Sequence, residues 1–302
     1  MKFLYLILFF WNCSVTIEKS PMQFFPILTA LLSSENTTQS NTPSTTPTQT
    51  PTSSSTPASS PVLSPTLSRM NSGSTITISS TNSGAIFCYT TNGTAPSCAS
   101  SGTSCEAGNQ GSTITYTPVL MQVKVRACVS GSLPSEEVSK YYYSPLIYIT
   151  SQTFNGNFSD STGDSTCNSD ANKPSNSTKP YIASYKMMRV GGGRTVTNDW
   201  VLYPNQEYYN LSNQLIYTSD SNSLLFPGAY SNPISASASF HWFGSANGAT
   251  WTVGPNSCTG WTSSSNAVQG GRGQNNSTTP GALVNNAAAN CDQFHNIMCA
   301  EQ

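Results

Sequence analysis

Nine cysteines in 302 residues constrain this chain more tightly than any other feature. Cys13 stands apart near the start. The other eight are Cys88, Cys98, Cys105, Cys128, Cys167, Cys258, Cys291 and Cys299, and they divide four and four about a boundary near residue 145. Even counts in each half point to disulfides rather than reactive thiols, and so to folding in an oxidising compartment. A zinc finger lacks its ligand spacing, because no Cys-x-x-Cys occurs and His241 and His295 are the only histidines. Charged residues make up 8% of the chain and the net charge is −1. That balance excludes a nucleic-acid partner, whose binding rests on phosphate neutralisation by Lys and Arg.

The chain opens with Met1-Lys2 and nine apolar residues, Phe3 through Trp11. A bilayer span needs about 20 residues, so this stretch fits a signal-peptide h-region instead. Asn12-Cys13-Ser14 follows, an arrangement that resembles the bacterial lipoprotein anchor. By that resemblance Cys13 is lipidated, residues 1–13 are signal and anchor, and the chain is held by lipid on the surface of the outer membrane. Phe10-Trp11-Asn12 is bulkier than the usual Leu-small-small, which leaves an ordinary secretory signal with a chance cysteine as the alternative. A second apolar stretch within residues 14–34 is also too short to span, and reads either as a leader without structure or as a segment lying on the lipid. Residues 35–65 are almost wholly Ser, Thr, Pro, Asn and Gln. They cannot offset the entropy of ordering, and their prolines favour an extended spacer. Residues 14–67 are therefore expected to form a disordered stalk.

Period-two alternation begins at Gly73. Thr75–Ile78, Ala85–Thr90, Thr113–Tyr116 and Val123–Ala127 read as strands, with Asn92-Gly93 as a tight turn. Val123, Val125, Ala127 and Val129 should face a core, with Lys124, Arg126 and Cys128 opposite. Residues 68–145 are thus expected to be a small β-sandwich, of a size that benefits from disulfide staples. The run Gly84-Ala85-Ile86-Phe87-Cys88-Tyr89-Thr90-Thr91-Asn92-Gly93-Thr94-Ala95-Pro96, followed by Val123-Lys124-Val125-Arg126-Ala127, resembles the immunoglobulin-like module at the C-terminus of chitobiase and β-hexosaminidase. That module is an accessory without catalytic residues. The resemblance implies that Cys88 pairs with Cys128 and Cys98 with Cys105, although four cysteines allow three connectivities.

Residues 146–302 open with a strand at Ile147–Thr150 and a turn at Phe154–Phe158. Gly163-Asp164-Ser165-Thr166-Cys167 then reads as a short helix that Asp164 could cap and Pro174 could end. Together with Tyr181-Ile182-Ala183-Ser184-Tyr185, this segment resembles endostatin. Trp242-Phe243-Gly244, Cys258 with Trp261, and the closing Cys291 and Cys299 resemble the C-type-lectin-like fold. As an ordered series these motifs are similar to the C-terminal domain of many spirochaetal surface lipoproteins. The resemblance implies an α+β endostatin/C-type-lectin-like domain with nested bridges, Cys167 to Cys299 and Cys258 to Cys291.

Calcium-dependent sugar binding is disfavoured. Gly254-Pro255-Asn256 has no acid before its proline, Ala289-Asn290-Cys291 replaces the expected Trp-Asn-Asp, and only Asp292 and Glu301 supply carboxylates after residue 240. No cofactor or metal is implied. Trp200, Trp242, Trp251 and Trp261 could stack on sugars, but Trp242 and Trp261 read as core and Trp251 as the exposed one. Lys173, Lys179, Lys186, Arg189 and Arg194 form a basic cluster that reads either as a ligand site, with glycosaminoglycan as its candidate, or as solvated surface. No nucleophile elbow appears, and His241 and His295 read as structural, so the chain is not expected to be an enzyme. The expectation is an adhesin-like surface lipoprotein that binds host extracellular-matrix or plasma proteins. A carbohydrate-binding or enzyme-accessory role on surface polysaccharide is the alternative.

Overall fold

Short strands are the main regular elements of the structure, a computed structural model that describes residues 56–175, 183–223, 230–247, 252–279, 282 and 287–302. Cys13 and the signal segment, the stalk up to residue 55, Lys179, Tyr181, Ile182 and Trp251 lie outside these residues. Among the described residues no helix is long and apolar enough to cross a membrane.

The first module runs through β1 (Val62–Ser64), β2 (Thr75–Ser79), β3 (Ile86–Thr90), β4 (Ser97–Cys98), β5 (Cys105–Ala107), β6 (Asn109–Gln110), β7 (Thr113–Thr115), β8 (Leu120–Cys128) and β9 (Val138–Tyr143). One sheet has the order β1-β2-β7, a second β6-β3-β8-β9, and β4 with β5 forms a two-stranded arm. Alternation fixes which side chains are buried. Ile76, Ile78 and Ile114 come from the first sheet and Met121, Val123, Val125 and Tyr142 from the second, all in one core. Each fully buried Ile or Val contributes about 1.5–3 kcal/mol. β1 lies within the segment read as spacer, because Leu63 enters this core at 5% exposure. Cys128 lies on the face opposite the core, as expected, but the β4–β5 arm covers it and leaves it 1% exposed, while Val129, expected to face the core, is only half-buried.

The disulfides of this module differ from the expected pairs. Cys88 is bridged to Cys105 and Cys98 to Cys128. The register explains the correction: Cys88 stands opposite Arg126, and Cys128 opposite Ile86. Cys88 and Cys128 are therefore diagonal neighbours, at a spacing too long for an unstrained bridge. The arm lies over both, and each sheet cysteine takes a partner from it.

The second module contains β10 (Ile147–Ile149), α1 (Asp160–Ser169), β11 (Tyr185–Met187), β12 (Glu207–Tyr209), β13 (Leu215–Thr218), β14 (Phe240–Trp242), β15 (Ser245–Asn247), β16 (Thr252–Val253), a one-turn α2 (Cys258–Trp261), β17 (Gln269–Gln274), β18 (Ala287–Asn290) and β19 (Met298–Glu301). Its first and last strands pair, in the order β10-β19-β11, with Tyr148 opposite Cys299. A second sheet has the order β14-β17-β18. Ser159, not Asp164, caps α1 by accepting a hydrogen bond from Thr162 N, and Asp170 ends it before Pro174 is reached. Asp164 lies inside the helix and serves a different purpose, described below. β11 starts at Tyr185, the last residue of the Tyr181–Tyr185 run, whose first two residues lie outside the described ones.

The bridges here are the expected ones, Cys167–Cys299 and Cys258–Cys291. All four cysteines are fully buried with Trp242 and Trp261, which are core residues as the sequence suggested. Packing around the inner bridge leaves no room for a side chain at Gly270, where a Cβ would lie 2.7 Å from both Cys258 Sγ and the Trp242 ring. Gly244 is required for two reasons. Its φ is +81°, and a Cβ would meet Val190 O and the Trp261 ring, each at 2.5 Å.

Candidate functional site

The junction between the modules is built from polar contacts that fix one against the other. Asn71 donates to Asn205 O at 2.7 Å, and its Oδ1 accepts from Gln206 Nε2 at 2.7 Å and Glu207 N at 2.8 Å. Ser72 N donates to Glu207 Oε2 at 2.6 Å. The Arg69 guanidinium lies 3.2 Å over the Tyr203 ring. Leu146 N, on the connecting segment, donates to Glu301 Oε2 at 2.9 Å, so the C-terminal strand helps hold the hinge. Glu301 is fully buried in that role.

A cleft of about 760 Å³ opens beside this junction. Pro118, Val119 and Leu120 come from the first module and Leu146 from the connection; Asn172–Ser175 follow α1, and Leu211 and Asn213 belong to the β12–β13 turn. Its floor is apolar, since Val119 and Leu146 are buried, and its rim carries amides, hydroxyls and Lys173. Leu211 projects at the rim, 45% exposed. A smaller cavity of about 300 Å³ shares Asn172 and Leu211 and continues past Ile149 and Ile234. Asn172 and Leu211 line both cavities, which together offer an apolar floor and a rim of amides.

Its walls are set by the sequence on both sides. Asp170, 5% exposed, accepts from Ser151 N at 2.9 Å, Ser151 Oγ at 3.0 Å and Asn172 N at 2.8 Å, which orders the strap leaving α1. Asn172 Nδ2 then donates to Ile149 O at 2.9 Å. Asn210 accepts from Ser212 N and Gln214 N, both at 3.0 Å, and donates to Pro233 O at 2.9 Å, holding the turn that presents Leu211.

The basic cluster is taken apart by the structure. Arg189 and Arg194 are 0% and 1% exposed, so neither is a ligand contact nor solvated surface. Arg189 packs against the rings of Phe158 (4.3 Å) and Trp261 (4.5 Å), which touch each other, and donates to Asp160 Oδ1 at 2.6 Å. Burial lowers its pKa to about 10 despite the Asp160 carboxylate. Arg194 pairs with Asp164 Oδ2 at 2.8 Å and Asp199 Oδ2 at 2.7 Å, and also donates to Met187 O. Burial alone would lower its pKa; the two carboxylates outweigh it and raise the value. Lys186 pairs with Asp199. The Lys186 hydrogen bond is the main cause of the lowered Asp199 pKa, with Arg194 adding to it. Asp164, which also accepts from Met187 N at 2.8 Å, thus locks α1 to β11. A buried ion-pair network looks like a surface patch in sequence, because charge spacing carries no information about burial. Only Lys173 among the described members of the cluster lines the cleft.

The histidines are built into the core. His241 is fully buried with Nδ1 2.6 Å from Asn275 Oδ1. His295 is 8% exposed, edge-on to Trp242 at 4.5 Å and Phe240 at 6.0 Å. Burial, with the Arg272 charge second, pushes its imidazole down to about 4. Trp200 is half-buried and donates from Nε1 to Ser223 O at 2.8 Å. The sulfurs of Cys88, Cys98 and Cys128 lie within 4.8 Å of one another, but each belongs to a disulfide and none is free as a thiolate ligand.

The cleft residues from 118–120 and 211–213 had no sequence signal beyond Pro118 and a polar turn. Two modules must fold and dock before they meet. Residues 151–278 match a family described as a protein of unknown function (DUF1554). No curated protein matches the chain.

Proposed function

We propose that this chain is a displayed binding protein whose folded head takes a protein ligand of the extracellular matrix or plasma in the groove beside the module junction. The observation that carries this reading is the groove itself, framed by elements that disulfides and hydrogen bonds hold in place before any ligand arrives. A preformed site loses little conformational entropy on binding. No aromatic ring and no carboxylate is among the described residues lining the larger cavity. Sugar recognition relies on rings that stack against pyranose faces, so the lining favours a polypeptide with apolar and acidic side chains over a glycan. Burial of both histidines favours binding over catalysis.

Several finer assignments belong to the same proposal. Two packed sheets support an immunoglobulin-like spacer, and nested bridges with a buried tryptophan pair support an endostatin/C-type-lectin-like head. Export and lipid anchoring through Cys13 are supported by four disulfides and the opening apolar run. Solid-phase binding of the full chain to laminin, fibronectin and plasminogen, against a glycan array, tests the reading. Saturable, EDTA-insensitive binding to a protein that disappears on disulfide reduction is expected; binding confined to glycans would replace this proposal with the polysaccharide role.

A further inference from the structure

Four sulfurs converge on the solvent-facing side of the β3–β8 sheet. Phe87, Tyr89, Val123 and Val125 pack on the sandwich core, which places Cys88 and Cys128 on the opposite face, beneath the β4–β5 arm. The two bridges are in contact there, with Cys88 Sγ 3.2 Å from Cys128 Sγ. On the arm, Cys98 stands directly opposite Cys105 in the antiparallel register. The sulfurs of Cys88, Cys98 and Cys128 lie within 4.8 Å of one another, and Cys105 joins the group through its bond to Cys88.

The two ways of joining these sulfurs have different mechanical consequences. In the observed pairing both bridges tie the arm to the sheet, Cys105 to β3 and Cys98 to β8. In the other pairing one bridge closes the arm on itself and one joins β3 to β8, leaving no disulfide between arm and sheet. Apart from the bridges, the arm is held mainly at its tip, where Gly102 is buried against the Val129–Ser130 backbone. Besides its cysteines, residues 97–107 are Ser, Ala, Gly, Thr and Glu, and Ser100, Ser101, Thr103, Ser104, Glu106 and Ala107 are exposed.

We propose that this pair of bridges is a thiol-driven exchange switch that frees the β4–β5 arm. A small thiol or a dithiol oxidoreductase supplies a thiolate, which attacks half-buried Cys105 Sγ; the Cys88–Cys105 bond breaks and Cys88 leaves as thiolate. Cys88 attacks Cys128 Sγ, forming the Cys88–Cys128 bond and expelling Cys98 as thiolate. Cys98 then attacks Cys105 in its mixed disulfide, forming Cys98–Cys105 and returning the external thiolate. Two disulfides are present before and after, no electrons are gained or lost, and the thiol is a catalyst. Cys88 and Cys128 need to approach by only about 1.2 Å to reach bonding distance. Their diagonal placement costs a small backbone shift, which keeps the observed pairing the more populated of the two.

Incubating the full-length oxidised protein with millimolar reduced glutathione, followed by acid quenching, thiol blocking and peptide mapping, tests this directly. A species of unchanged mass carrying Cys88–Cys128 and Cys98–Cys105 is expected, with cleavage by a broad-specificity protease between residues 99 and 104 faster by on the order of tenfold. Cys167–Cys299 and Cys258–Cys291 should keep their partners in the same sample. Persistence of only the original bridges at every time point, in protein that has formed the glutathione mixed disulfide, overturns the proposal. A second measurement uses Cys98→Ser with Cys105→Ser. Oxidation should join Cys88 to Cys128 in this variant, and two free thiols in a variant with the parent circular-dichroism spectrum would equally overturn it.

Discussion

Acidification should destabilise the second module through one residue, His295. Its ring is buried against Trp242 and Phe240 near the Arg272 charge, and its pKa is pushed down to about 4 from the usual 6.5. Between those values the unfolded chain binds a proton that the folded chain refuses, so the unfolded state is favoured as pH falls. Above pH 6.5 both states are neutral at this site and the effect vanishes. Two and a half pK units at 1.36 kcal/mol each give a loss of at most about 3 kcal/mol by pH 4. Asp199 acts in the same direction, but it is 45% exposed and solvent screens it. His295→Phe isolates the histidine: it keeps an aromatic edge toward Trp242 and the backbone pairing with Phe154 while removing the titrating group. Urea unfolding followed by tryptophan fluorescence, in steps from pH 7.5 to 4, should show the parent losing about 3 kcal/mol more than the variant. Equal acid losses in the two proteins, or an imidazole that titrates near 6.5 by NMR, would refute the reasoning.

Three further outcomes follow from the same structure. Asp160→Asn strands the buried Arg189 guanidinium and should cost about 3 kcal/mol, whereas adding Arg189→Met should recover most of that in urea melts; a single-variant cost below about 1 kcal/mol contradicts the ion-pair account. Cys167–Cys299 spans 132 residues and Cys258–Cys291 spans 33. Chain entropy then assigns them about 5 and about 4 kcal/mol, so the double alanine variant of the outer bridge should be the less stable by about 1 kcal/mol. Tyr116 and Tyr142, with burial as the main cause, are pushed up to about 12. Their contribution is complete below pH 10 and lost as pH rises through 12, so alkaline melts should fall by about 2–3 kcal/mol per buried tyrosine across that window.

What sequence could reveal here divides along physical lines. Strands β2, β3, β7 and β8 were legible because alternation records which face is buried, and the two bridges of the second module were legible through a resemblance that covers most of it. The bridges of the first module were not. Pairing depends on register and on the route of the β4–β5 arm, and a four-cysteine pattern encodes neither. Asp164 was legible as important but not in its role: a residue suited to capping instead pairs with Arg194 from the middle of α1. Arg189 and Arg194 were misplaced for the same reason, since an arginine bound for a buried aromatic and carboxylate pocket and one bound for solvent look alike in the chain. The groove lay beyond reach because it exists only where residues 118–120, 172–175 and 211–213 converge.

A variant in the groove provides the most direct test of the binding account. Leu211→Asp places a charge at the exposed rim without touching a disulfide, and the reading requires that affinity for the captured protein ligand fall at least about tenfold, or 1.4 kcal/mol, with the melting temperature unchanged. Undiminished binding by this variant, measured by surface plasmon resonance beside the parent, would contradict the assignment of the groove as the site.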